Sequence, residues 1–296
     1  MIILSAHFPL VFHVPDDSTR NELQTQRNGH AGVVFLGTGT SVGVPALGCQ
    51  CEVCRSTDPR NNRTRCAIVI QTAKGNILID TPPDLRTQLL REKIGLVHAT
   101  VFTHEHADHI FGLDDLRLFP FRLGGPMPLY CNAEVEQRIR KSFDYAFIER
   151  QHTHPGAVPQ LEFSRIDTSP FEVFGVPFVP IPMKHGPHFN VFGFRIGNFA
   201  YCTDTNEIPE SSMRLLAGVD TFVIGALRER VHPTHFNVEQ AVAVARQLSP
   251  RQTWLTHLSH DLDHATTSSQ LPDGIDLAYD GLRLAIELDP TVTNRS

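Results

Sequence analysis

Three imidazoles and the Asp108 carboxylate fall within six residues, His104-Glu-His-Ala-Asp-His109, directly after the apolar run Ala99-Thr-Val-Phe-Thr103. The run reads as a β-strand, and the residues from Asp108 onward read as the start of a helix. Metal-binding side chains are therefore expected where a strand ends and a helix begins. Imidazole and carboxylate suit zinc, manganese or iron. The alternation lets one short loop feed two metals, with His104 and His106 pointing one way and Asp108 and His109 the other. A polar turn with chance histidines is the plainer alternative, and the strand–loop–helix context speaks against it.

Three further donors follow in order: His185 in Pro182-Met-Lys-His-Gly186, Asp204 in Tyr201-Cys-Thr-Asp-Thr205, and His257 in Trp254-Leu-Thr-His257. Each comes after a β-like run. Near the start of the chain, Gly48-Cys-Gln-Cys-Glu-Val-Cys54 packs three thiols into six residues. Ordinary core cysteines explain such spacing poorly, and a disulfide within the run would leave an odd thiol. A structural zinc prefers thiolate-rich tetrahedral closure. Thiols used as ligands fit a reducing cytosol, so a cytoplasmic location is expected. The other cysteines, Cys66, Cys131 and Cys202, lie in apolar runs and read as buried free thiols.

The loop His104–His109, followed by His185, Asp204 and His257, resembles the signature of the metallo-β-lactamase superfamily. The resemblance spans about residues 33–288. It implies an α/β fold, the αββα sandwich of two packed mixed sheets flanked by helices. It also implies two catalytic divalent metals, manganese or zinc. His104, His106 and His185 would hold one, Asp108, His109 and His257 the other, and Asp204 would bridge them. A pair of metals ~3.5–4 Å apart can hold a hydroxide between them and stabilise both oxygens of a displacement. Coordination brings the pKa of water toward neutrality, so no protein base is needed. No Ser-His-Asp or Cys-His pair is evident at familiar spacing.

The cysteine run is similar to that of the PhnP-type branch, the cyclic phosphodiesterases of the phosphonate pathway. This implies a structural zinc on Cys49, Cys51, Cys54 and the matching His260. Such a knot would pin an N-terminal loop to the strand carrying His257. Pyrroloquinoline-quinone-pathway relatives share a similar cysteine element, but are expected to lack the complete histidine loop. The PhnP-type resemblance also implies that His235, in Val231-His-Pro-Thr-His235, assists the scissile phosphate or the leaving oxygen. A near-neutral pKa would suit that task. A loop histidine without a partner is the plainer reading. His232 is a lesser candidate. Arg228, Arg230 and Lys184 could neutralise a phosphate or simply be exposed and salt-bridged.

The chain has 296 residues, 41% hydrophobic and 20% charged, ample for a sizeable core. Residues 1–32 read as an N-terminal extension and 33–296 as one domain. The extension lacks a basic start, its first Arg or Lys being Arg20, and Pro9, His13 and Pro15 interrupt its apolar part, so no signal peptide is expected. No apolar run approaches the ~20 residues of a membrane span. Cys66–Thr72 and Asn76–Asp80 predict a hairpin around Lys74-Gly75. Asp80 is either an orienting partner for a ligating histidine or a turn and capping residue. Pro83–Ile94 predicts a helix, residues 108–119 a second helix stopped by Pro120, and Ala133–Phe147 a third. Residues 150–170, with His152 and His154, predict a rim loop. Asn237 and Gln240 form a capping box for a helix reaching Leu248. Ile275–Leu288 predicts a hairpin turning at Asp280-Gly281.

The formal net charge is −6, which argues against an extended nucleic-acid partner. A small phosphate ester is compatible, because the metals supply positive charge. The expected activity is metal-dependent hydrolysis of small or cyclic phosphodiesters. An acyl hydrolase of the same fold, such as a lactonase, thioesterase or β-lactamase-like enzyme, is the alternative, since one hydroxide attacks phosphorus or carbonyl alike. Transfer-RNA 3′-end processing would need a basic arm that is not evident. A zinc-stapled scaffold without chemistry is the non-enzymatic alternative. The sequence leaves a homodimer open.

Overall fold

Val33, Val34, Phe35 and Leu36 are all buried, as are Ala67, Ile68, Val69 and Ile70. Strands buried on both faces read as continuous apolar runs rather than alternating ones. Here alternate residues enter different cores: Val33, Phe35, Ile68 and Ile70 pack between two sheets, whereas Val34, Leu36, Ala67 and Val69 pack under helices. The computed structural model describes residues 30–148 and 156–288. The rim-loop expectation for His152 and His154, and most of the N-terminal extension, lie outside the described residues.

The first sheet contains β1 (His30–Gly37), β2 (Ala67–Thr72), β3 (Gly75–Ile79), β4 (Ala99–Val101), β5 (Met127–Cys131), β6 (Leu161–Arg165) and β14 (Arg283–Glu287). Its order is β14-β1-β2-β3-β4-β5-β6. The second contains β7 (Phe171–Val173), β8 (Val176–His185), β9 (Phe189–Ile196), β10 (Phe199–Cys202), β11 (Thr221–Gly225), β12 (Gln252–Thr256) and β13 (Ile275–Leu277). Its order is β13-β12-β11-β10-β9-β8-β7. Both sheets mix parallel and antiparallel pairs. Helices α1 (Leu85–Arg91), α2 (Ala107–Ile110), α3 (Phe119–Leu123) and α4 (Ala133–Ser142) belong to the first half of the chain, and Leu85, Leu89, Val135 and Ile139 pack on the first sheet. Helices α5 (Glu210–Leu216) and α6 (Val238–Leu248) cover the second, through Leu216, Val238, Ala241 and Ala245. The expected αββα sandwich is the observed fold.

Two local expectations need correction. The segment after the histidine loop is not one helix stopped by Pro120. It is the single turn α2, then a 3-10 stretch Leu113–Leu118, then α3, which carries Pro120 in its first turn. Proline suits a helix start, where its missing N–H is not needed. The break comes at Gly112, whose N–H donates to Thr81 O, while a Cβ there would stand 2.0 Å from Pro82 O. Second, β13 and β14 are not a hairpin: β13 pairs with β12 in the second sheet and β14 with β1 in the first. The Asp280-Gly281 turn carries the chain between sheets.

That crossover is fixed by Asp280. Its carboxylate accepts from the N–H and hydroxyl of Thr38 (2.9 and 2.8 Å), from those of Thr64 (2.9 and 2.6 Å), and from Arg91 (3.1 Å). Burial pushes the Asp280 carboxyl upward, and the Thr64 contacts oppose it. Asp280→Ala should therefore lower the unfolding free energy by about 2–4 kcal/mol, because two backbone N–H groups lose their acceptor. Urea unfolding checks this, and a loss below about 1 kcal/mol would contradict the assignment.

Candidate metal centre

The nominated donors come from the C-terminal ends of strands, where open α/β sheets place their ligands. The loop after β4 delivers His104, His106, Asp108 and His109; β8 ends on His185; the residues just past β10 and β12 are Asp204 and His257. The donor atoms of His104, His106 and His185 lie within 4.8 Å of one another. So do those of His104, His109 and Asp204, and those of His185, Asp204 and His235. Asp108 Oδ2 is 3.4 Å from His109 Nε2. Asp204 Oδ1 stands 3.4 Å from His109 Nε2 and 3.1 Å from His257 Nδ1. Asp204 thus sits between the histidines of both expected groups, and all seven residues meet in one place.

The chemistry of this cluster fits divalent cations. His104 Nε2 is buried without a hydrogen-bond partner, while His109 Nε2 and His257 Nδ1 are buried with only carboxylate oxygens beside them at 3.1–3.4 Å. Leaving a buried polar atom without a good partner costs about 1–3 kcal/mol, a cost that bound cations would remove. Burial lowers the pKa of His104 well below the ordinary histidine range, and the charge of His109 adds to this. Burial opposes protonation of His109 too, but Asp204, Asp108 and Asp80 raise it well above that range. His257 rises to about 10, because Asp204 outweighs burial. Asp204 stays well below the usual carboxylate range against burial, held by His257 and His109. Clustered carboxylates favour positive charge at this point, and divalent cations would supply it.

A buried shell aims these ligands. Asp80 accepts from Thr103 N (2.8 Å) and Thr103 Oγ1 (2.7 Å) and lies 2.7 Å from His109 Nδ1. Thr103 Oγ1 is 3.0 Å from His104 Nδ1. One carboxylate therefore leaves the Nε2 atoms of both rings facing the cluster. Of the two readings of Asp80, orientation of a histidine is the observed one. His185 Nδ1 is held 2.8 Å from Thr234 O. Asp80, Asp204 and His257 adopt φ of 67°, 49° and 59°, a left-handed conformation costly outside glycine. Thr103 and Thr234 were missed in the sequence; their only signal is adjacency to donors.

His235 joins the cluster, stacked on His257 (4.7 Å between centroids, 17°) and 4.6 Å from His185. Burial, aided by the charge of His257, pushes the His235 pKa down to about 3. The possible phosphate-binding cations are engaged elsewhere. Lys184 Nζ donates to Asn190 Oδ1, Arg228 to the carbonyls of Arg230 and Val231, and Arg230 pairs loosely with Asp261.

Cys49, Cys51, Cys54 and His260 form a second donor group, all four donor atoms within 4.8 Å. His260 Nδ1 lies 3.3 Å from Cys49 Sγ and 3.4 Å from Cys51 Sγ. The Cys54 N–H, then His260, pulls the Cys51 thiol down to about 6. Cys66, Cys131 and Cys202 are free and buried, as expected. Behind the group lies fully buried Arg63, which donates to Ser259 O (2.9 Å) and Leu262 O (2.7 Å), bracketing His260.

Residues 75–258 match the family described as "Beta-lactamase superfamily domain". A crystal structure described as a new diphosphatase from the PhnP family is 43% identical, with a TM-score of 0.82, covering 88% of this chain and 98% of that one. The chain belongs to the metallo-β-lactamase superfamily, in its PhnP-type branch. A Porphyromonas gingivalis protein named octanoyltransferase is 37% identical over 258 residues, 86% of this chain but 51% of that protein. Coenzyme PQQ synthesis protein B of Methylococcus capsulatus is 28% identical over 180 residues, 52% of this chain and 57% of that protein. The chain thus spans about half the length of these two relatives. Zn(2+)-bound PqqB from Methylobacterium extorquens shares the fold at 19% identity and a TM-score of 0.69.

Asp80→Ala should weaken Mn²⁺ binding about 10–100-fold, as loss of a ligand-orienting partner does. Calorimetric titration of the metal-stripped protein reads this directly, and unchanged affinity would refute the role. Cys49→Ser should lower zinc content by one ion per chain by mass spectrometry, with Mn²⁺ uptake at the other cluster preserved.

Proposed function

We propose that the chain is a cytoplasmic metal-dependent phosphodiesterase acting on small or cyclic phosphodiesters. His104, His106 and His185 would hold one cation and Asp108, His109 and His257 a second, with Asp204 available to both. The reading rests above all on the convergence of buried imidazole nitrogens of His104, His109 and His257 on the Asp204 carboxylate, with His104 Nε2 left without a partner. When bound, a pair of divalent cations supplies Lewis acidity, ionising water near neutral pH and offsetting phosphate charge. The chain's own part is orientation and exclusion of water. Asp80 and Thr103 fix the rings of His109 and His104. His235, unprotonated in the free protein, can donate its remaining ring N–H to a substrate oxygen. It would take up a proton only beside anionic substrate. Cys49, Cys51, Cys54 and His260 hold a structural zinc that steadies the wall behind His257.

The neighbour described as a diphosphatase supports a second phosphorus substrate, the diphosphate linkage. The octanoyltransferase name belongs to a protein of which this chain covers 51%, so it carries little weight for acyl chemistry here.

The test is hydrolysis, with Mn²⁺ or Zn²⁺, of bis(p-nitrophenyl) phosphate, a 2′,3′-cyclic nucleotide, a nucleoside diphosphate and an acyl lactone. Phosphorus substrates should turn over, and Asp108→Ala or His109→Ala should lower kcat/KM by about 10²–10³-fold or more. Lactone turnover without phosphodiester or diphosphate turnover would reject the proposal in favour of acyl hydrolysis. One tightly held zinc per chain, indifferent to His104→Ala and accompanied by no turnover, would favour a scaffold.

A further inference from the structure

Access to the cluster is uneven. His104, His109, His185, Asp204 and His257 are buried, whereas His106, Asp108 and His235 are only half-buried and rim the opening. Beside His106 stands Phe189, 37% exposed. A lone exposed phenylalanine is ordinary on a protein surface. Phe189 differs in its setting. Its ring centroid lies 4.6 Å from that of His106, with the planes at 72°, and 6.2 Å from that of His185.

The backbone beneath it is held from several sides. Phe189 opens β9 and pairs in register with His185 at the end of β8. In the intervening turn, the Gly186 N–H donates to Asn206 Oδ1 at 2.6 Å. Gly186 has φ +67°, and a Cβ there would lie 2.6 Å from Thr234 Cγ2, so the turn presses on the loop carrying His235. On the far side, Asn190 is tied to Lys184. The ring is thus an apolar surface on a braced turn, next to a donor cluster that is otherwise polar.

We propose that Phe189 is a specificity residue, a platform for a planar group such as a nucleobase carried by the substrate phosphate. This rests on reading the cluster as a phosphoryl site, and it names the class of substrate that site takes. Stacking suits the role because every base has a π-face, and removing such a platform costs about 1–3 kcal/mol per base. Lys184, the nearest cation along β8, is engaged by Asn190, so charge does not duplicate the contact.

The test is calorimetric binding to the full-length, Mn²⁺-loaded protein, using adenosine 5′-monophosphate and ribose 5-phosphate as probes. Wild type should bind the nucleotide about tenfold more tightly than the sugar phosphate. Phe189→Leu, which keeps an apolar contact with His106 but removes the flat face, should erase that difference. The sugar phosphate affinity and Mn²⁺ content should stay unchanged, and Phe189→Trp should restore the preference. Equal weakening of both probes would overturn the proposal, leaving Phe189 as packing for His106, and so would no change in either. Failure of the hydrolase reading looks different: no phosphorus substrate turns over, while the base-dependent affinity persists.

Discussion

The buried contact of Asp80 with His109 and Thr103 underlies the whole arrangement. Asp80 directly follows β3, and the loop it grips leaves the neighbouring parallel strand β4. One carboxylate therefore sets two ring orientations, that of His109 directly and that of His104 through the Thr103 hydroxyl. The grip extends across the sandwich, because the Phe192 N–H of β9 donates to Thr103 O. Both sheets consequently present their strand ends to one point, with Asp204 and His257 arriving from the second. Neither sheet alone holds more than part of the donor set. Cations at that point would join the sheets as well as perform chemistry, since ligands deprotonate to bind and the folded site is their only binding state.

The cysteine group and Arg63 repeat this logic at the other wall. The thiol group links the loop after β1 to His260, three residues beyond His257. Arg63 makes a parallel link without metal. Its backbone pairs with Val44, just before the cysteines, while its guanidinium grips the carbonyls of Ser259 and Leu262. Burial lowers its pKa to about 10, with the charges of Asp280, Asp263 and Asp58 opposing the shift. A strained His257 at φ 59° needs such bracing, because a left-handed residue relaxes unless its neighbours over-determine it.

Much of this was legible in the chain because it is written in local patterns. The apolar runs at Val33 and Ala67 gave strands, and the Asn237–Gln240 capping box formed as its spacing predicts. The histidine loop falls between β4 and a helical turn, the context its residue pattern predicts. Features that depend on tertiary partners were not legible. The Asp280-Gly281 turn has hairpin chemistry, but nothing in a turn dictates that its flanking strands pair with each other. Helix continuity after Asp108 was broken by Gly112 packing on Pro82, a contact invisible in one dimension. The depressed pKa of His235 depends on burial against His185 and His257, brought together from distant positions.

The charge layout also constrains how the site can discriminate. Lys184 bonds Asn190 across the β8–β9 pair, Arg228 bonds carbonyls of its own loop, and Arg230 pairs with Asp261, so each already has a partner. A site that leaves phosphate charge to bound cations treats every phosphate ester nearly alike at the reacting centre. Discrimination then falls to whatever surrounds the opening. Beside His106 that surface carries the Phe189 ring alongside charged residues such as Glu105, so stacking on Phe189 would be one means of selection.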